Sequence, residues 1–126
     1  MRIVVATVVH DPDDARIRHR QIPALLAAGH QVVYVAPGHE AGDGATEVPG
    51  MERRIVPRAA GRRRFGALRA VARILAEETP RADLTIVHDP ELTVLDRWIR
   101  SPRIFDVHED LPAQIADKDW IPVGPR

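Results

Sequence analysis

The sequence predicts an α/β fold, a mostly parallel sheet with helices on both faces. Apolar, β-branched runs alternate with segments of helical period along its 126 residues. Three of those runs end in a histidine followed at once by an acid: His10-Asp11, His88-Asp89 and His108-Glu109-Asp110. Polar groups set just past buried strands mark a functional edge, because ligands of open α/β sheets bind outside the carboxyl ends of the strands.

Residues 2–9 form an unbroken β-branched run, as expected of a strand covered on both faces. Residues 15–28 read as helical, with Ile17, Ile22, Leu25 and Leu26 on a shared face and Gly29 placed to end it. Pro23 conflicts with one straight helix, since it lacks an amide donor and clashes with the preceding turn; a kink, or a helix starting near Ile22, is expected. Residues 31–36 make the second strand, stopped by Pro37-Gly38, and the glycine-rich, acidic stretch 37–50 has no period and reads as a loop. Residues 52–56 suit a short third strand.

From Phe65, the apolar residues Leu68, Val71, Ala72 and Leu75 recur at spacings of three and four, the firmest helical pattern in the chain. Residues 84–87 give a fourth strand. Asp89-Pro90-Glu91 then looks like a helix start, with Asp89 as cap and Pro90 where its missing donor does no harm. Leu92, Leu95, Trp98 and Ile99 supply the buried stripe, Ser101-Pro102 breaks it, and residues 103–107 form the fifth strand. Right-handed crossovers would bring the ends of the first, fourth and fifth strands, and with them all three His-acid pairs, to one rim.

The length fits a single domain, residues 1–126, with roughly two thirds of the unfolded surface buried on folding. There is no cysteine, which removes disulfides and thiolate metal sites. Eighteen basic and eighteen acidic residues cancel, so no overall field draws the chain to nucleic acid. The apolar run after Met1-Arg2 is too short for a signal peptide or a membrane span, and a soluble, cytoplasmic chain is expected.

His10-Asp11 followed by Asp14-Ala15-Arg16-Ile17, then Leu25-Leu26-Ala27-Ala28-Gly29-His30-Gln31-Val32, then His88-Asp89-Pro90-Glu91-Leu92, and finally Phe105-Asp106-Val107-His108-Glu109-Asp110-Leu111-Pro112 follow one another in this order. Together they resemble the Rossmann-like amino-terminal half of GT-B glycosyltransferases, most closely the large retaining family 4. The closing Lys118-Asp119-Trp120-Ile121-Pro122 is similar to bacterial members. The resemblance implies an acceptor-binding domain facing a carboxy-terminal domain that binds the nucleotide-sugar donor, with transfer in the cleft between them. The donor-side basic residue and paired glutamates have no counterpart in this sequence, so the chain reads as a truncated first domain, inactive by itself, needing that second domain in the same or a separate chain and holding no cofactor of its own.

The same resemblance implies a catalytic place for His108, close to the reacting sugar, and a cleft lined by His10, Asp11, His88, Asp89, Glu109 and Asp110. An imidazole with a reference pKa of about 6.5 donates a hydrogen bond or takes a proton near neutrality, which suits His108 to that place. Glu109 and Asp110 would orient it or meet acceptor hydroxyls. A glycine-rich first loop, common in relatives, is replaced by His10-Asp11-Pro12-Asp13-Asp14, which argues against phosphate contact by backbone amides there.

Plainer readings stand beside these. His10 and His88 can satisfy neighbouring carbonyls at strand ends, and Asp11, Asp13 or Asp14 can cap the following helix. Arg62, Arg63 and Arg64 fit a solvated helix start, a clamp for an anionic acceptor, or contact with an acidic membrane surface. Trp98 belongs with the core, whereas Trp120, in a proline-flanked tail, is open to a partner. Two other functions fit the same residues: a metal-dependent hydrolase using the His-acid cluster, and a stand-alone sugar- or nucleotide-binding module.

Overall fold

The computed structural model describes residues 1–38 and 48–106. Five strands form one all-parallel sheet: β1 (Arg2–Ala6), β2 (Gln31–Pro37), β3 (Met51–Val56), β4 (Leu84–Val87) and β5 (Arg103–Phe105), in the order β3-β2-β1-β4-β5. This is the predicted Rossmann-like α/β arrangement. Its strand order reverses between β1 and β4, and the crevice of such a sheet opens at that reversal.

Alternation along the strands separates two cores. Ile3, Val5, Val32, Tyr34 and Ile86 pack on one face against Ile17 and Ile22. Val4, Ala6, Val33 and Val35 pack on the other, against Val71 and Leu75 of helix α2 (Arg64–Glu78) and against Leu92 and Leu95. Helices α1 (Ile22–Ala27) and α2 therefore lie on opposite faces.

Local departures from the expected elements have physical causes. The helix expected over 15–28 is a π-helical turn, Ile17–Gln21, running into α1, with the Ile22 amide donating to the Ile17 carbonyl. The wider turn leaves Pro23 in the first turn of α1, where no donor is required. Gly29, at φ 87°, ends the helix: its amide donates to Leu26 and the His30 amide to Leu25, closing the last carbonyls. The stripe Leu92, Leu95, Trp98 is built on a 3₁₀ helix, Pro90–Trp98, for which a spacing of three is the natural period. The first strand stops pairing at Ala6 rather than Val9, for a reason found at the rim. Val107, the expected end of the fifth strand, lies outside the described residues.

Beneath the opposite end of the sheet, Glu78 is 1% exposed and receives Arg54 Nη1 at 2.7 Å, Arg2 Nη2 at 2.9 Å and Arg81 Nη2 at 3.2 Å. Burial alone would push this carboxyl up, but hydrogen bonds from Arg2 and Arg54 and the charge of Arg81 outweigh it and hold it below the ordinary carboxylate range. No helix among the described residues is long and apolar enough to cross a membrane.

Candidate functional site

The backbone ladder continues one step beyond the paired strands, so Thr7, His88 and Asp106 stand level at the carboxyl rim. Thr7 N donates to Val35 O at 2.9 Å, His88 N to Ala6 O at 3.1 Å and Asp106 N to Val87 O at 2.9 Å. Two His-acid motifs, 78 positions apart in sequence by their histidines (88 − 10), thereby meet at the strand-order reversal.

Asp89 organises this rim. Its side chain is 1% exposed and does not cap the 3₁₀ helix that follows, which corrects the expected role. It crosses to the β1 loop instead, accepting from Thr7 Oγ1 at 2.9 and 3.0 Å, from the Val9 amide at 3.1 Å and, through a short contact, from the Val8 amide. A buried carboxylate needs several donors, and a loop that has just left a strand supplies them. That capture turns the chain out of β1 after Ala6.

His10 lies above this carboxylate, with Nε2 3.3 Å from Asp89 Oδ1 and Nδ1 3.6 Å from Asp14 Oδ2. Its amide donates to Thr7 Oγ1 at 3.2 Å. A neutral imidazole has one N–H and can serve only one of these carboxylates, whereas the protonated ring faces both. Asp14 also caps the turn that follows, accepting from the Arg16 and Ile17 amides at 3.0 and 3.1 Å, one of the roles expected for the acids of this loop. Asp11 accepts from the Asp13 amide at 2.8 Å in a local turn and lies 3.8 Å from Arg58, facing outward.

A second cluster adjoins the first. His88 is buried; its Nε2 lies 2.6 Å from Gln21 Oε1 and its Nδ1 3.7 Å from Asp106 Oδ2. Gln21 Nε2 donates back to Asp106 at 3.4 Å, closing a triangle of groups drawn from the π-helical turn, β4 and the end of β5. The Tyr34 hydroxyl donates to the Pro12 carbonyl at 3.0 Å, fastening the β1 loop from beneath, and burial pushes its phenol up.

Thus His10 and Asp14 stand part-exposed on one side of the rim and Asp106 on the other, while Asp89 and His88 are sunk beneath as supports. Thr7, Gln21 and Asp106 were not among the expected site residues. A lone threonine inside an apolar run was the signal for Thr7; Gln21, an ordinary helix residue, carried none. Arg62 and Arg63 lie in the 3₁₀ turn that leads into α2 and Arg64 opens the helix, all three exposed and without an ion pair among the described residues. His108, Glu109, Asp110 and Trp120 lie outside the described residues. Among the described residues no three histidine or acidic side chains are gathered as a metal would require.

The arrangement offers imidazole donors and carboxylate acceptors but little to hold an anion. In dinucleotide-binding sheets the amides of the first strand–helix loop receive a phosphate. Here the Val8 and Val9 amides already serve Asp89, and any phosphate would meet the Asp14, Asp89 and Asp106 carboxylates. No family model, curated protein or solved structure matches the chain.

Proposed function

We propose that this chain is the acceptor-side domain of a retaining GT-B glycosyltransferase, with a neutral polyhydroxylated acceptor lying across the β1/β4 crevice. The observation that carries the reading is the Asp89 carboxylate bound to the Val8 and Val9 amides, which replaces a phosphate cradle with groups suited to hydroxyls. His10 donates to an acceptor oxygen, while Asp14 and Asp106 accept from its hydroxyls. The nucleotide-sugar donor is held by a separate donor-binding domain, in the same or another chain.

Transfer then proceeds with retained anomeric configuration through a transition state of oxocarbenium character. His108, by its resemblance to the family's histidine, serves that charge by hydrogen bonding and electrostatic fit rather than by covalent attack. The test pairs the chain with its donor-binding domain and follows sugar transfer from a panel of nucleotide sugars. The expected result is a product of retained configuration, slowed by His10→Ala and by His108→Ala. An inverted product, or transfer untouched by both substitutions, contradicts the reading.

A further inference from the structure

Helix α2 presents an outer surface whose composition its fold does not require. Residues 61–76 contain five arginines, Arg62, Arg63, Arg64, Arg69 and Arg73, and no acid. All five are exposed and none makes an ion pair among the described residues. Three of the five sit at the amino end of the helix, where the backbone dipole disfavours cations, so helix stability does not account for them. Between the two groups stands Phe65, 83% exposed, one turn before Arg69 on the same side.

The side of α2 that carries Arg69 also opens a groove. Leu68 and Ala72 face Leu95 and Trp98 across an open volume of about 430 Å³, with Arg69 and Arg73 at its lining. Arg97 lies over the Trp98 ring, 4.7 Å from its centroid, adding a cation at that wall. From Arg62 to Arg73 the cations extend roughly 16 Å along the axis at 1.5 Å per residue.

We propose that this face docks the domain on an anionic phospholipid surface, with Phe65 entering the interface and the arginines meeting lipid phosphates. A protruding ring needs a shaped receptor on a folded partner, but a bilayer interface receives it without one, and exposed guanidinium groups with no carboxylate beside them among the described residues complement an acidic leaflet. The inference goes beyond the proposed transfer and stands independently of it. Because the residues concerned are exposed, their substitution is expected to leave the fold in place, which circular dichroism checks.

The experiment is flotation of the full chain with phosphatidylcholine vesicles and with vesicles containing phosphatidylglycerol. Binding is expected only to the anionic vesicles, falling with added salt, at least about tenfold weaker after combined Arg62→Gln, Arg63→Gln and Arg64→Gln, and several-fold weaker after Phe65→Ser. Equal binding to neutral vesicles, no binding to either, or indifference to both sets of substitutions overturns the proposal. So does equally tight binding of soluble polyglutamate that ignores Phe65→Ser, which assigns the face to an acidic protein instead.

Discussion

His10 Nε2 lies 3.3 Å from the Asp89 carboxylate, joining the loop after β1 to the residue after β4 across the strand-order reversal. Because the same carboxylate holds Thr7, Val8 and Val9, the shape of the rim depends on one buried acid. Asp89→Asn keeps the volume but turns one acceptor oxygen into a donor facing other donors. It is expected to cost about 2–4 kcal/mol in urea unfolding. Hydrogen exchange at Val8 and Val9 should quicken with it, and unchanged protection of those two amides would remove Asp89 from the organising role.

The buried Glu78 carboxylate should shape the acid limb of stability. Its carboxyl titrates below the ordinary value of 4.5, so its contribution is complete above that pH and is lost as pH falls through the lowered folded value. Unfolding midpoints measured from neutral pH downward should hold and then drop on the acid side. Glu78→Gln should cost about 1–3 kcal/mol at neutral pH, by removing the buried charge that Arg2 and Arg54 share while Glu52 and Glu77 still meet them, and should flatten the acid limb. An acid limb identical in the variant and the parent would show that other carboxylates govern it.

Gly29 offers a clean measure of backbone strain, since φ is 87° and a Cβ built there meets nothing within 4 Å. Gly29→Ala should therefore destabilise by about 1 kcal/mol through conformation alone, with no change in ligand binding. A neutral effect in thermal melts would mean that the helix end relaxes to another turn.

The sheet was readable because its signals are local. β-branched runs, Gly29 as a stop and the helical spacing from Leu68 to Leu75 each act within a few residues, and the elements lie near where their patterns indicated, apart from the shorter first strand and the π-helical turn before α1. The convergence of His10 with Asp89 also followed, from strand ends and crossover geometry alone. What did not follow was non-local. Asp89-Pro90-Glu91 has the pattern of a helix start, yet the side chain finds its partners about eighty residues earlier, at Thr7, Val8 and Val9. Gln21 joins His88 and Asp106 only because a π-helical turn aims it there, and Glu78 is an ordinary helix-end acid until β1 and β3 bring Arg2 and Arg54 against it. Leu92, Leu95 and Trp98 were legible as a helical stripe; that the helix carrying them is 3₁₀ was not.

The central claim is that this crevice takes a hydroxyl-bearing acceptor and refuses a phosphate. Amide and imidazole resonances of the isotope-labelled chain, titrated with simple glycosides and separately with a nucleoside diphosphate, test it most directly. Glycosides should shift His10, His88 and Asp106, with the nucleoside diphosphate leaving them in place. Saturable shifts of the Val8 and Val9 amides by the nucleoside diphosphate would contradict it.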